Sequence, residues 1–189
     1  MKRKITAVLA VLFLAVSAQA FADRLVFTEI GVSYGKIFSP TGFANNSSGL
    51  YDTAIFDAKV GADICKWADV YAGGAFDFFA GRSNLQDHYT FFPVFGGVMA
   101  NIMPEWTVYP SVLFEYGCAI SNNYYATTYA SGNRPWLAYY YNYGICLNWN
   151  VADIAILQFS VERPAISNMA NNGGEIHMIK TGLAWKIFY

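Results

Sequence analysis

Residues 50–64 read LYDTAIFDAKVGADI, and on this stretch the fold turns. Ala54, Phe56, Ala58, Val60 and Ile64 fall on one side of a two-residue period; Thr53, Asp57, Lys59, Gly61 and Asp63 fall on the other. Period two marks a β-strand, whose successive side chains point to opposite faces, whereas a helix repeats its apolar positions every three or four residues. The stretch is also long. Globular strands mostly run about 5 to 6 residues, and about 9 to 11 suffice to cross a bilayer at a tilt. One greasy and one polar face on a strand of crossing length is the expectation.

The same pattern extends in both directions. Upstream, residues 25–38 place Ile30, Val32 and Tyr34 opposite Glu29, Gly31, Ser33 and Gly35. Downstream, residues 68–80, 89–102, 107–120, 136–149, 153–163 and 176–189 are further strand candidates, eight in all. Residues 107–120 alternate well, with Val108, Val112, Phe114 and Tyr116 against Tyr109, Ser111 and Glu115; the segment around Phe91-Phe92-Pro93-Val94-Phe95 leaves its phase open. The connections alternate between short (65–67, 103–106, 150–152) and long (39–49, 81–88, 121–135, 164–175), the long ones rich in Asn, Ser, Gly or Pro. Short turns at one end and longer loops at the other are the asymmetry of an up-and-down barrel in an outer membrane. The predicted class is all-β: an eight-stranded antiparallel up-and-down transmembrane β-barrel, with both ends on the periplasmic side.

Residues 1–20 read as a cleaved signal peptide, with basic Lys2, Arg3 and Lys4, an apolar stretch over 5–16 and the small-residue site Ala18-Gln19-Ala20. Ala20-Phe21-Ala22 offers an alternative cut after 22, and a retained anchor is the other reading, though the stretch is short of the roughly 20 residues a spanning helix needs. Residues 21–189 form the barrel. The chain is 55% hydrophobic, 18% aromatic and only 13% charged, against ~25% charged for an average soluble domain. With a net charge of -1 it has no basic field to draw nucleic acid by counterion release, and no nucleic-acid partner is expected. Cys65, Cys118 and Cys146 are odd in number and lack CxxC or Cys/His spacing, so neither a disulfide nor a metal site is predicted.

A soluble lipocalin-like barrel shares the period with its apolar face turned inward. Segment length favours the membrane, as do polar faces that mix Gly and Ala with isolated charges. A helical inner-membrane span over 135–152 would have to place Tyr139-Tyr140-Tyr141-Asn142-Tyr143 and Asn148 and Asn150 in lipid. Trp67, Trp106 and Trp149 lie at the proposed short turns and Trp185 near the C-terminus, all on one side as interface aromatics; Phe78, Phe79, Tyr116 and Tyr139 crowd the other.

The last segment, Gly182-Leu183-Ala184-Trp185-Lys186-Ile187-Phe188-Tyr189, resembles the terminal strand of bacterial outer-membrane barrels. Leu183, Trp185, Ile187 and Tyr189 occupy the alternate apolar positions of that pattern, with Tyr where Phe is commoner. The resemblance implies export to the cell outer membrane, a lipid environment, and recognition of this strand by the barrel assembly machinery. Eight strands without a further domain look like the group of the OmpA transmembrane domain, OmpX and OmpW.

The phase turns Glu29, Asp57, Lys59, Asp77, Glu115, Glu162 and Lys180 inward. In a bore that side chains just fill, these groups make either a hydrogen-bonded ionic plug or a narrow, cation-favouring path. Glu29 and Lys180 are expected to pair across the closing seam. No catalytic residue is assigned: neither His88 nor His177 is followed by the Ser of a His-x-Ser deacylase pattern, and no Gly-x-Ser-x-Gly elbow or phosphate loop occurs. No cofactor is called for. Tyr124, Tyr125 and Tyr129, among Asn, Ser and Thr, read either as an interfacial cluster or as a surface-loop contact for an extracellular ligand. The functional expectation is a structural or surface-interaction barrel with a largely plugged lumen. A narrow OmpW-like conduit for small or apolar solutes, a lipid-modifying enzyme and a soluble periplasmic barrel are the rivals.

Overall fold

The computed structural model describes residues 26–41, 50–81, 88–123, 138–167 and 174–189. The strands are β1 (Val26–Thr41), β2 (Leu50–Cys65), β3 (Ala68–Gly81), β4 (His88–Asn101), β5 (Val108–Asn123), β6 (Ala138–Ala152), β7 (Ala155–Glu162), β8 (Ala165–Ser167) and β9 (Gly174–Phe188). From β1 to β7 each pairs antiparallel with the next, β8 like β7 lies between β6 and β9, and β9 returns to pair with β1, which closes the sheet. Closure matters because it leaves no row of unpaired N–H and C=O groups facing lipid.

Nine segments make eight staves, because β7 and β8 are one stave interrupted at Arg163-Pro164. The register does not slip there: Gly144 lies opposite Glu162 and Tyr141 opposite Ala165 on β6, while Met178 and Glu175 face the same two residues on β9. Pro164 lacks an N–H, so the stave loses a ladder bond but not its alignment. Residues 164–167, which the sequence assigns to a loop, therefore extend the wall, and β9 starts at Gly174, earlier than expected. Strand β1 likewise reaches Thr41, past a bulge between Ile37 and Ser39. His88, read as a loop residue, opens β4. Strand β4 takes the phase left open: Phe91, Pro93, Phe95, Met99 and Asn101 are buried inside, and Phe92, Val94 and Val98 face out.

The turns at one end are short, Lys66-Trp67 between β2 and β3 and Asp153-Ile154 between β6 and β7; between β4 and β5 the Trp106 N–H donates to the Met103 carbonyl (3.0 Å). The described chain begins and ends at this same end, where the Tyr189 N–H donates to the Val26 carbonyl (2.8 Å). Apolar side chains cover the outside of every stave, among them Ile30, Phe56, Val94, Phe114, Val161 and Ile179. The contrast along β6 is direct: Ile145 is 64% exposed and Asn142 is 3% exposed. A water-soluble barrel would have the opposite arrangement. Among the described residues no helix is long and apolar enough to cross a membrane.

Candidate functional site

The polar side chains that an apolar wall displaces must go inward, and there they bond to one another. Lys180 on β9 contacts Glu162 Oε1 on β7 at 2.7 Å, and Glu162 also accepts from Ser160 Oγ (2.7 Å) and Asn142 Nδ2 (3.1 Å). Asn142 on β6 donates in turn to Glu115 Oε2 on β5 (3.0 Å). Glu115 further accepts from the Tyr140 hydroxyl (3.3 Å) and, over β4, from the Tyr71 hydroxyl on β3 (3.1 Å). That last bond skips a stave, and Gly97 is the reason. Gly97 on β4 sits opposite both Tyr71 and Glu115, and a Cβ there would lie 2.6 Å from the Tyr71 ring. Its missing side chain lets the phenol lie over β4.

Two further groups complete the interior. Lys59 on β2 bridges Glu29 on β1 (3.2 Å) and its own strand's Asp57 (3.1 Å). Towards the short-turn end, Lys186 contacts Asp63 (3.3 Å) and Asp69 (3.0 Å), and its ammonium lies 3.9 Å from the Phe27 ring centroid. From Asp69 the line runs to Asn101 Nδ2 (3.3 Å), from Ser111 Oγ to Asn101 Oδ1 (2.8 Å) and from Asn148 Nδ2 to Ser111 Oγ (2.7 Å). Towards the other end Ile37, Ile55, Phe79, Phe91, Ile176 and Met178 pack into an apolar cluster.

All seven ionisable residues assigned inward, Glu29, Asp57, Lys59, Asp77, Glu115, Glu162 and Lys180, face the interior, but they do not form one cluster. Asp77 stands apart, its Oδ1 without a hydrogen-bond partner. The expected seam pair is absent. Lys180 lies opposite Gly35, far along β1 from Glu29, and Glu29 faces Lys186 on β9 but contacts Lys59. Spacing along one strand could not supply the register between two strands that meet only after the whole chain has closed. Phe79, counted with the interface aromatics, points inward and packs on Phe91 with centroids 5.2 Å apart. Sequence reasoning set Ser111 on the polar face with Glu115 but missed Tyr71, Asn142, Asn101, Asn148 and Lys186 as interior partners. Lys186 was within reach of it, since it shares a face with Lys180; the neutral residues carried no charge signal.

Trp67, Trp106, Trp149 and Trp185 are all exposed, at the short-turn end. Leu183, Trp185, Ile187 and Tyr189 line the outer face of the last stave. Tyr124, Tyr125 and Tyr129 lie outside the described residues, as do residues 1–25. His177 faces outward against Phe38, ring centroids 5.9 Å apart. Cys65 is exposed, Cys118 half-buried and Cys146 buried, all with free thiols.

No known family model matches the sequence, and comparison with curated proteins gives no relative. Solved structures do match in fold. The N-terminal β-barrel domain of Pseudomonas aeruginosa OprF aligns with a TM-score of 0.55 at 10% identity, over 87% of this chain and 100% of that one. The outer membrane protein OprG from Pseudomonas aeruginosa gives 0.54 at 9% identity, over 87% and 97%. The outer membrane enzyme PagL gives 0.51 at 9% identity, over 82% and 97%. At such identities the likeness is one of fold. Combined with a closed sheet, an apolar wall and a polar interior, it gives this chain the fold of the small eight-stranded transmembrane β-barrels.

Proposed function

We propose that this barrel has a structural or surface-interaction role, with its bore closed by its own side chains and its contacts made by the outer loops. One observation carries the closure: the bonded line Lys180, Glu162, Asn142, Glu115, Tyr71 runs from β9 to β3 through the interior. An eight-stranded bore is only wide enough for side chains to fill, and this line links the inner faces of β9, β7, β6, β5 and β3 around it. The test is conductance in planar bilayers. Protein isolated in detergent and incorporated at neutral pH is expected to give no sustained openings; steady openings of the wild type would overturn the closure and favour a narrow conduit.

The outer contact rests on composition. Tyr124, Tyr125 and Tyr129 among small polar residues offer large, rigid, amphipathic contact area. Deleting 124–129 is expected to abolish binding to an extracellular ligand while leaving the heat-dependent mobility of the folded barrel intact; unchanged binding refutes it. The four tryptophans are read as anchors at the periplasmic interface. The alternation of Leu183, Trp185, Ile187 and Tyr189 is read as the strand offered to the assembly machinery.

A further inference from the structure

A cation on a lipid-facing wall is costly at the middle of the bilayer and costs little near an interface. Among the described side chains of the outer wall, three basic ones stand clear of the short turns: Lys36 on β1, His177 on β9 and Arg163 in the stave of β7 and β8. These staves are neighbours, since β9 pairs with both β1 and β7. Arg163 lies directly opposite His177, because Glu162 faces Met178 and the Ile176 N–H donates to the Pro164 carbonyl (2.9 Å). Lys36 faces Ile179, which makes it the diagonal neighbour of His177. Residues so placed are about 4.5 to 5.5 Å apart when directly opposite and about 7 to 8 Å apart on the diagonal, separations that long basic side chains can close.

The tryptophans set their height. Trp185 sits at the short-turn end, with Ala155 on β7 and Ile30 on β1 as its partners. Towards the long loops, His177 and Arg163 lie eight residues beyond Trp185 and Ala155, and Lys36 lies six beyond Ile30. At about 3.3 Å per residue and a tilt of about 35 to 45°, eight residues rise about 19 to 22 Å and six about 14 to 16 Å. The apolar band of such a barrel is about 25 Å tall, so the three stand in its upper part, within side-chain reach of the headgroups. Arg163 Nη1 donates to the Tyr143 hydroxyl (2.5 Å), and the guanidinium lies 5.7 Å from that ring's centroid. The His177 ring packs on Phe38. Asp52, the acid among the described side chains of this patch, lies opposite Lys36 and accepts from the Tyr34 hydroxyl (2.6 Å).

We propose that Arg163 and His177, flanked by Lys36, hold the phosphate of a lipid headgroup in the leaflet nearer the long loops. An arginine presents a planar fork of N–H donors that matches phosphate oxygens two at a time, and the imidazole and the ammonium add donors beside it. The occupant is a lipid because the patch borders the apolar wall: Val32, Phe38, Val161 and Ile179 are outward on the same staves. Acyl chains cover those side chains while the phosphate meets the cations. Cations that merely extend to interfacial water have no need to gather on three adjoining staves. The site rests on the wall facing lipid and is independent of the closed bore and of the outer loops.

The experiment follows thermal unfolding of the barrel in an uncharged maltoside detergent, titrated with phosphatidic acid, with diacylglycerol of the same chains, or with inorganic phosphate at equal ionic strength. Phosphatidic acid is expected to raise the midpoint and saturate, because a ligand that binds only the folded state stabilises it by mass action; diacylglycerol and inorganic phosphate are expected to leave it unchanged. Arg163→Gln should weaken the apparent affinity about tenfold or more, as loss of hydrogen bonds to a charged group does, and Lys36→Gln should weaken it less. Lys66→Gln, in the turn at the opposite end, should leave it unaltered. No response to phosphatidic acid, an equal response to diacylglycerol, or a response kept by Arg163→Gln and Lys36→Gln alike overturns the site. An equal response to inorganic phosphate overturns the lipid as its occupant, and a response lost only in Lys66→Gln overturns its place on the wall. If Arg163→Gln fails to fold, His177→Ala and Lys36→Gln decide. Steady conductance of the wild type would sink the closed bore and leave the phosphate site standing.

Discussion

Gly97 shows how one absent side chain organises the interior. It stands between Tyr71 and Glu115 in register, and the phenol reaches the carboxylate only by crossing the space a Cβ would take. Gly97→Ala is therefore expected to push Tyr71 away from Glu115 and destabilise the barrel by about 1 to 3 kcal/mol, the usual cost of overpacking. Tyr71→Ala should remove most of that penalty; urea unfolding of the two single variants and the double would show it, and additive effects would contradict it. Glu162 poses the opposite case, since its carboxylate holds Lys180 with both groups largely out of water. Glu162→Gln should cost about 3 to 5 kcal/mol in the same assay, because it strands a buried ammonium, and adding Lys180→Met should recover a good part of the loss. These roles were legible to different degrees. The inward direction of Glu29, Asp57, Lys59, Asp77, Glu115, Glu162 and Lys180 follows from parity along each strand, but which acid meets which base depends on inter-strand register, which parity does not contain.

At the scale of the strand, Pro164 separates what the backbone shows from what composition suggests. A proline ends most strands, and the sequence accordingly reads 164–175 as loop. In the fold the Ile176 N–H donates to the Pro164 carbonyl (2.9 Å), and the Arg163 N–H to the Tyr143 carbonyl (2.9 Å), so the ladder continues on both sides of the missing donor. Pro164→Ala would supply that donor opposite Ile176. The new bond is worth about 0.5 to 1.5 kcal/mol, and the looser unfolded chain offsets it by about 0.4 to 1 kcal/mol. The expected result is stability within about 1 kcal/mol of wild type, together with a slowly exchanging amide at 164. Fast exchange at that amide would mean that the stave is broken there. Strand existence and facing were readable because lipid outside and a narrow bore inside enforce period two over the crossing length. Strand ends were not, since beyond that length the backbone can pair whatever the side chains, as it does at 39–41 and 165–167.

For the molecule as a whole, alternation alone admits both a membrane barrel and a soluble one, and the direction of the two faces separates them. Ile145 lies near the middle of β6, opposite Val112 on β5 and Val161 on β7, and all three face outward. On a soluble barrel a lysine at so exposed a position would be close to neutral. At the middle of a bilayer a lipid-facing lysine costs about 2 to 4 kcal/mol, falling to about 0 to 1 kcal/mol near an interface. Ile145→Lys is therefore expected to lower the unfolding free energy in lipid vesicles by about 2 to 4 kcal/mol, while Val151→Lys, on the same outward face of the same stave but beside the short turn, changes it by less than about 1 kcal/mol. Equal and small effects at both positions would mean that no hydrocarbon surrounds the wall, and the outward Val, Ile and Phe side chains would then need another partner to cover them. A large effect confined to Ile145 locates the bilayer midplane along β6 and places the Trp67, Trp106, Trp149 and Trp185 end at an interface.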